Sequence, residues 1–221
     1  MIEPEEFENM SDEELYEVIR EGLYVNEAAP GGRYVSKRKA EYLERMAYVC
    51  PFCGFSKWES RGDITRCVTC GREVRYGEDK RMEGIGFEFP FPYVNDWYEF
   101  QQRYVNSQDL LADPDRILFR DTADLYEVIA YKRKNRIAEK QTVLLYGNRI
   151  EIGCGEGRQS FSFADITGTA VLGRNKLNIY AGEKIMQLKG DPHFNALKYM
   201  NLYYRYRNQT QGDQNGEFLG L

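Results

Sequence analysis

The chain has 221 residues, a formal net charge of −5, 42% hydrophobic residues and a single histidine, His193. This length suits one large or two small soluble domains. One histidine excludes two-histidine metal helices and histidine triads. The sequence also lacks Gly-x-Ser-x-Gly, Walker and Gly-x-Gly-x-x-Gly motifs, which excludes most familiar hydrolase and nucleotide-binding sites.

No run approaches the roughly 18 consecutive apolar residues that a membrane span needs. The first ten residues, MIEPEEFENM, lack the basic and apolar parts of a signal peptide. We therefore expect a cytosolic protein that does not cross a membrane.

The charges are segregated along the chain. Residues 1–29 carry ten acidic residues and one basic residue, a net charge of −9, and residues 83–115 carry −6. Residues 116–207 contain nine acidic and sixteen basic residues, a net charge of +7. An acidic N-terminal half therefore precedes a basic C-terminal module. This asymmetry says more about which partners the chain can bind than its net charge of −5 does.

Helical signals dominate the N-terminal half. Ser11 and Glu14 form a capping box, and apolar residues follow at helical spacing, which predicts a helix over about 12–23. After a breaker run, Ser36 is expected to cap a second helix that presents Ala40, Leu43 and Ala47.

An aromatic, proline-rich segment, GIGFEFPFPYVN, spans residues 84–95. Its prolines argue against a strand, so we expect a packed connector without regular structure. Asn95 is then expected to cap a helix with Trp97, Phe100 and Tyr104 on one side.

From about residue 116 the apolar pattern alternates with a period of two, which predicts short antiparallel strands. A Gly147-Asn148 turn joins two of them as a hairpin. Residues 124–140 fit either a strand pair or a helix, and we favour the strand pair. The other predicted strands are 117–120, TVLLY, RIEI, QSFSF, GTAVL, KLNIY and KIMQL.

A final helix is expected to start at Asp191-Pro192 and to bury a stripe of Phe194, Leu197, Met200 and Tyr204. About seven antiparallel strands closed by a C-terminal helix are the order of a pleckstrin-homology-like (PH-like, or GRAM-like) barrel. The predicted fold class is therefore α+β. The predicted domains are a helical and zinc-ribbon segment over 1–115, with the ribbon at about 47–78, the PH-like barrel over 116–207, and a disordered tail over 208–221.

Four of the five cysteines form two Cys-x-x-Cys-Gly motifs, Cys50–Cys53 and Cys67–Cys70, separated by thirteen residues. Two such knuckles are typical of a tetrahedral four-thiolate zinc site. The site is expected to be structural, because protein ligands fill all four positions and none remains for water. Its formal charge of −2 would be offset by basic residues close in sequence, namely Lys57, Arg66 and Arg72.

Other interpretations of the cysteines remain open. Two disulfides or a redox Cys-x-x-Cys are disfavoured by the expected cytosolic setting. Iron in a rubredoxin-like site would use the same four ligands. Cys154 lies in a glycine-rich turn and is expected to be a plain thiol.

The densest basic run comprises Lys132, Arg133, Lys134 and Arg136. In a PH-like barrel, an early loop of this kind can receive an anionic lipid headgroup, although a solvated basic turn is the alternative. Further basic residues near predicted turns would extend this face: Arg149, Arg158, Arg174 and Lys176.

Several segments together resemble a known region of other proteins. These are SDEELYEVI, KRKAEYLERMAYVCPFCG, EVRYGE, NDWYEFQQ and HFNALKYMNLYYRYR. They are similar to the C-terminal extension of certain bacterial 1-acyl-sn-glycerol-3-phosphate acyltransferases, over most of residues 5–207. The resemblance implies a setting in phospholipid biosynthesis, at the cytoplasmic face of the inner membrane.

One departure decides what the resemblance implies about activity. Those acyltransferases use a His-x-x-x-x-Asp motif, whereas here the only histidine, His193, is followed by Lys198 at the aspartate position. No catalytic residue carries over, so the chain itself is expected to be no enzyme, as either the C-terminal part of a longer enzyme or a stand-alone relative.

The resemblance implies a non-catalytic accessory or regulatory region. Its expected partners are the catalytic acyltransferase domain of the same parent chain and an anionic membrane surface. The alternative is a zinc-ribbon module that binds nucleic acid or protein and has no lipid role. Nucleic acid is disfavoured because the segments that flank the ribbon are acidic and would repel phosphates.

Overall fold

The computed structural model describes residues 3–23, 31–130 and 133–211. Two helices open the chain, α1 (Pro4–Asn9) and α2 (Asp12–Leu23). The predicted capping box is present, since the Ser11 amide donates to Glu14 Oε2 at 2.9 Å and the Glu14 amide donates to Ser11 Oγ at 3.3 Å. No residue of α2 is buried.

The helix predicted after Ser36 does not form. Turns and one 3₁₀ turn, Leu43–Arg45, occupy this segment, and Tyr42 has a φ of +74°. The Ala40 amide donates to Gly62 O in the cysteine segment at 2.8 Å and so does not close a helical turn, while the amides of Leu43, Arg45 and Met46 close short local turns. Ser36 Oγ accepts from Arg38 N, which stabilises a local turn.

The cysteine segment folds into two small antiparallel sheets, which we call the ribbon. One sheet pairs β1 with β2, and the other has the order β3-β4-β5-β6. The strands are β1 (Val49–Cys50), β2 (Gly54–Phe55), β3 (Trp58–Arg61), β4 (Ile64–Cys67), β5 (Glu73–Tyr76) and β6 (Met82–Gly84). The expected packed connector is confirmed, because residues 85–93 have no helix or strand and Phe89 is buried in the ribbon cluster, while Gly84 ends β6, which pairs with β5 at the edge of the sheet.

A third helix, α3 (Val94–Ser107), follows the connector. It begins two residues earlier than predicted, with Tyr93 and not Asn95 at the N-cap, and Tyr93 N donates to Asp96 Oδ2 at 3.0 Å. Trp97 is fully buried, and its ring lies 4.6 Å from that of Trp58 in an edge-to-face arrangement. The helix thereby anchors the ribbon.

The C-terminal half contains seven antiparallel strands in one curled sheet, with the order β10-β9-β8-β7-β13-β12-β11. The strand pair favoured for residues 124–140 is confirmed as part of β7 and β8. The strands are β7 (Phe119–Ala130), β8 (Arg133–Leu145), β9 (Arg149–Ile152), β10 (Gln159–Ser162), β11 (Ile166–Leu172), β12 (Lys176–Ala181) and β13 (Lys184–Gly190). Because β10 and β11 lie at opposite edges, the sheet is a curled, open half-barrel, which is consistent with the PH-like barrel expected.

The final helix, α4 (Leu197–Gln211), covers the open side and contacts β11, β12 and α3. It starts later than predicted, because Asp191 Oδ1 accepts from His193 N in a local turn and Asn195 Oδ1 accepts from Lys198 N at the helix start. The predicted stripe is confirmed in part, because Phe194 is buried and Met200 and Tyr204 are partly buried against the core, but the most buried residues of the helix are Lys198, Tyr199, Leu202 and Tyr203. Residues 208–211, predicted to be disordered, belong to α4, and 212–221 lie outside the described residues.

Two apolar clusters hold these elements together. One lies between α4 and the inner face of the half-barrel, and it includes Tyr48 and Val49. The other lies inside the ribbon around Cys67 and Trp97. The α+β class with a C-terminal helix is therefore confirmed, and none of the described helices has the length and apolarity of a membrane span.

Candidate functional site

The four predicted cysteine ligands converge at one end of the ribbon. Their Sγ atoms all lie within 4.8 Å of one another, so the cluster could hold a metal ion. Cys50 Sγ lies 3.8 Å from Cys70 Sγ, and Cys53 Sγ lies 3.6 Å from Cys67 Sγ, far beyond the roughly 2.05 Å of a disulfide.

The glycine after each Cys-x-x-Cys has the left-handed conformation that the knuckle turn requires. Gly54 has a φ of +79° and Gly71 a φ of +73°. A Cβ at Gly54 would also come within 2.5 Å of Tyr104 Oη, so the chain has no room for a side chain there. The left-handed conformation of both glycines could be predicted from the Cys-x-x-Cys-Gly motif.

Burial and hydrogen bonds shift the pKa values of the cysteine thiols. Burial raises the pKa of the Cys50 thiol to about 11. Burial would also raise the pKa of Cys70, but backbone and side-chain hydrogen bonds from Arg72 outweigh it and lower the value to about 6. Ser56 Oγ lies 3.1 Å from Cys67 Sγ and 2.8 Å from Thr69 Oγ1. Arg72 therefore offsets thiolate charge as expected.

The Lys57 ammonium and the Cys154 thiol both lie away from the cysteine cluster. Lys57, expected to offset the thiolate charge, instead pairs with Asp121 of the half-barrel, with Nζ 2.8 Å from Oδ1. Cys154 is an exposed thiol beside the 3₁₀ turn Gly155–Gly157 and does not belong to the cysteine cluster.

A buried glutamine that the sequence analysis missed fixes the first knuckle. Gln101 of α3 is fully buried, and its Oε1 accepts from the amides of Tyr48 at 2.7 Å and Val49 at 2.9 Å. Nothing local in the sequence signals this contact, because the partners are more than fifty residues apart.

The predicted basic run lies on a strand and not in a loop. Arg133, Lys134 and Arg136 are exposed residues of β8, and Lys132 lies outside the described residues. Lys134 Nζ donates to Gln187 Oε1 at 3.2 Å and lies 4.2 Å from the Tyr126 ring centroid.

Lysines of β12 and β13, two strands that lie beyond β7 in the strand order, join the basic run. Lys176 of β12 and Lys189 of β13 are directly opposite each other in register. Burial and the charges of these two lysines lower the pKa of Lys134, so the three ammonium groups share one region. We call these three lysines and the exposed arginines of β8 in the same run the basic surface: Arg133, Lys134, Arg136, Lys176 and Lys189. Arg136 also pairs with a carboxylate, since its Nη1 lies 3.5 Å from Glu139 Oε2. Lys176 was among the residues predicted to extend this face, and Lys189 was not.

Two arginines expected to extend the basic surface have carboxylate partners elsewhere. Glu151 binds Arg149 at 2.8 Å and Arg158 at 3.1 Å. Arg149 also binds Asp115 at 3.0 Å, so two carboxylates balance the two arginines and neither arginine contributes to the basic surface. Arg174 is exposed in the turn before β12.

A cleft of about 630 Å³ separates the ribbon from the half-barrel. On its half-barrel side, the Asp121 carboxylate binds Lys198 Nζ at 2.6 Å and Lys57 Nζ at 2.8 Å, and accepts from Tyr199 Oη at 2.7 Å. Burial would raise the pKa of Asp121, but the two ammonium groups outweigh it and hold the pKa below its ordinary value.

The cleft is also lined by a buried carboxylate that binds the histidine. Glu44 is 4% exposed, and its Oε1 binds Nδ1 of His193, whose side chain is half exposed. Asn195 donates to the backbone oxygens of Glu44 at 3.0 Å and Ala47 at 3.2 Å. His193 thus joins the start of the α4 segment to the ribbon side of the cleft.

No protein-family model and no curated protein matches the chain. The N-terminal PH domain of Vps36 is similar to 43% of this chain, over 82% of that domain, with 14% identity and a TM-score of 0.35. The N-terminal PH domain of human ARAP2 is similar to 46% of this chain, over 90% of that domain, with 10% identity and a TM-score of 0.34. Identities and TM-scores this low say nothing about a ligand or a partner.

Proposed function

We propose that this chain is a non-catalytic docking module in which a structural zinc ion staples the ribbon and a PH-like, GRAM-like half-barrel binds anionic lipid. The observation that carries the proposal is the basic surface, where lysines from three strands share one region. Like charges directly opposite each other destabilise a sheet, so an anionic ligand would relieve their repulsion.

Zinc is the metal that we propose for the cysteine cluster. Four sulfurs at about 2.3 Å from a tetrahedral ion lie about 3.8 Å apart. The separations of 3.6 and 3.8 Å between paired Sγ atoms agree with this geometry. Cys50, Cys53, Cys67 and Cys70 would fill all four positions, and iron would use the same set. Elemental analysis of purified protein distinguishes the two metals.

Exposed apolar side chains on β7 and β8 support docking to a membrane. Ile129 is 54% exposed and Ile137 is 45% exposed, and both flank the basic residues of β8. Basic residues near an anionic leaflet each contribute about 1 kcal/mol, and exposed apolar side chains can enter the interface beside them.

The proposed setting is phospholipid biosynthesis, at the cytoplasmic membrane face. This part rests on the sequence resemblance to acyltransferase C-terminal extensions, and it names the catalytic domain of such an enzyme as the second partner. In that setting the module would hold the catalytic domain close to its lipid substrate.

Nucleic acid is a weaker candidate because the ribbon's charges are balanced. Arg66 of β4 lies opposite Glu59 of β3 and Glu73 of β5. Arg75 lies 3.6 Å from Asp63. Such alternation leaves no continuous basic stripe along the ribbon for a phosphate backbone to follow.

Sedimentation with lipid vesicles tests the proposed docking. We expect the zinc-loaded chain to bind vesicles of phosphatidylcholine with phosphatidylglycerol, to ignore pure phosphatidylcholine, and to release as salt rises. Equal binding to both vesicle types, or none to either, would contradict the lipid role. A single-stranded DNA control at the same ionic strength separates lipid recognition from general polyanion binding.

A further inference from the structure

Helix α2 has an apolar stripe that no other described part of the chain buries. The side chains of the stripe recur every three or four residues and so share one face of the helix. They are Leu15, Val18, Ile19 and Leu23. Leu23 is 77% exposed, Ile19 is 47% exposed, and no residue of the helix is buried. Since amphipathic helices in proteins are stabilised mainly by packing of the apolar face, we expect a partner surface for this stripe.

The charge of α2 restricts what can cover the stripe. The helix carries five acidic residues and one basic residue, Arg20, a net charge of −4. The whole segment 1–29 carries −9. An anionic membrane and a nucleic acid would both repel such a helix. The partner surface should therefore be basic, with apolar side chains between its charges.

The side of the half-barrel that points away from its core is basic. Lys176 of β12 lies directly opposite Lys189 of β13. The next residue on one strand, Leu177, and the preceding residue on the other, Leu188, are buried in the core. Because successive side chains of a strand point to opposite faces, both lysines point outward. Gln187, two residues before Lys189, shares this outer face.

The strand register extends the outer face onto β7 and β8. Tyr126 of β7 lies opposite Gln187 of β13 and opposite Arg136 of β8. Val128, the next outward residue of β7, lies opposite Ile185 and Lys134. The middle of the outer face is thus the β7–β13 pair, with partly buried apolar side chains: Tyr126, Val128 and Ile185.

Basic residues border this apolar middle on both sides. Lys134 and Arg136 of β8 lie on one side, and Lys176 of β12 lies on the other. With Lys189 there are four cations, and two acids lie beside them, Asp124 opposite Lys189 and Glu139 near Arg136. The outer face therefore keeps a net positive charge.

The length of α2 fits this outer face. Its twelve residues at 1.5 Å each give a helix of about 18 Å. The seven residues of β13 at about 3.4 Å each give a strand of about 23 Å. A helix of this length can lie along the β7–β13 pair within the ends of β13, in the helix-on-sheet layering common in folded domains.

We propose that α2 of one copy of the chain packs along the β7–β13 pair of a second copy. The apolar stripe covers Val128 and Ile185, and the acidic residues of α2 lie between the cations of β8 and β12. A second copy is the occupant because α2 buries none of its residues within its own chain and because the two charges are complementary. The exchange is reciprocal, so the dimer is two-fold symmetric and closed.

Sedimentation velocity on the full zinc-loaded chain, without lipid, tests this dimer. We expect a monomer–dimer equilibrium with a Kd of about 10 μM in about 50 mM salt. Screening of the opposite charges should weaken the dimer about tenfold or more in about 500 mM salt.

Two variants of α2 test the apolar stripe. The double variant Val18→Glu and Ile19→Glu places charges in the stripe and should weaken the dimer by about tenfold or more. Arg20→Glu is the matched control, because it changes the net charge by the same amount and leaves the stripe intact. Arg20 is exposed beside Glu17, and its variant should dimerise at least as well as the wild type.

A second pair of variants tests the outer face. The double variant Lys134→Glu and Lys176→Glu reverses one cation on each side of the β7–β13 pair and should also weaken the dimer by about tenfold or more. Arg61→Glu with Arg103→Glu is the control of equal net charge, at exposed positions of the ribbon and α3, and it should dimerise like the wild type.

Three results would overturn the proposal. The first is a chain that stays monomeric up to about 100 μM in low salt. The second is that either variant weakens the dimer no more than its control. The third is that the stripe variant loses the dimer while the outer-face variant keeps it, since the stripe would then have another partner. Circular dichroism establishes that the variants fold. Since no lipid is present, vesicle binding can fail without affecting this result.

Discussion

Asp121 is the residue at which the ribbon, the half-barrel and α4 meet. Its carboxylate receives Lys57 from the ribbon, and Lys198 and Tyr199 from α4. Lys198 is only 3% exposed, so its charge depends on this one carboxylate. Removing one partner of a buried ion pair costs more than the pair contributes, because the other charge remains buried.

Asp121→Asn should therefore destabilise the chain more than Lys198→Met does. The asparagine leaves the buried Lys198 ammonium without a counter-ion, at a cost of about 3 kcal/mol or more. The methionine leaves Asp121 with Lys57 still bound. Urea unfolding of both variants measures the difference, and a larger loss for Lys198→Met would contradict the assignment.

The Asp121 carboxylate should also make the unfolding free energy of the chain depend on pH. The pKa of Asp121 in the folded chain lies below the ordinary value of 3.8, so its stabilising effect is complete above that pH and is lost as pH falls through the folded pKa. The difference in unfolding free energy between wild type and Asp121→Asn should narrow as pH drops below the ordinary value. A constant difference would show that the charge of Asp121 is not responsible.

At the residue scale, the sequence predicted those groups whose signal is local. The four cysteines and their glycines were found because a knuckle needs them at fixed spacing. Gln101 and Glu44 were missed because their partners, Val49 and His193, are distant in the chain. Tertiary contacts of this kind leave no periodic pattern.

Among the elements, the ribbon depends most on its metal site. Cys67 is fully buried in the cluster that also holds Trp58 and Trp97. In ribbons of this size, metal binding supplies much of the folding free energy. Loss of one thiolate should therefore release both the metal and the ribbon's packing.

Cys67→Ser tests this dependence. We expect its bound zinc to fall well below that of the wild type and the near-ultraviolet dichroism of the buried Trp58–Trp97 pair to be lost. Cys154→Ser is the matched control, since Cys154 is an exposed thiol away from the cluster, and it should keep the metal. Full metal content in Cys67→Ser would exclude the four-thiolate site.

Element predictions succeeded where the apolar pattern is local and regular, and failed where long-range contacts decide. The β8–β9 hairpin formed at Gly147-Asn148 as predicted, although neither residue has the positive φ of a primed turn. The helix predicted after Ser36 failed because the Ala40 amide binds the ribbon. The start of α4 moved because Asp191 and Asn195 each cap a different turn.

At the scale of the whole molecule, the ribbon and the half-barrel share apolar contacts. Tyr48 and Val49, beside the first knuckle, belong to the same buried cluster as Phe119 and Leu145. The Tyr48 and Phe119 rings lie 6.4 Å apart, edge to face. The sequence predicted the order of the two modules but not this contact, which depends on how they pack.

Removal of the metal should therefore weaken the half-barrel as well as the ribbon. We expect the thermal unfolding of the full chain to be one transition that shifts to lower temperature with a strong zinc chelator. Nuclear magnetic resonance of β9–β12 reports on the half-barrel alone. If the half-barrel kept its unfolding temperature, as read from those signals, while the ribbon unfolded, the two modules would be independent.

The distribution of charge gives the whole molecule its polarity. Residues 1–29 carry −9 and residues 116–207 carry +7, so an anionic surface should meet the half-barrel and repel the N-terminal helices. Within the half-barrel, docking should depend on the basic surface. The dependence of docking on the basic surface joins the fold to the proposed function.

Vesicle binding by a charge-reversal variant of β8 tests whether docking depends on the basic surface. The triple variant Arg133→Glu, Lys134→Glu and Arg136→Glu should bind phosphatidylglycerol-containing vesicles about a hundredfold more weakly than the wild type, since each basic residue contributes about 1 kcal/mol. A control with the same net charge, Arg61→Glu, Arg103→Glu and Arg116→Glu, should retain most of the binding. Equal loss in both variants, or none in either, would contradict docking through the basic surface.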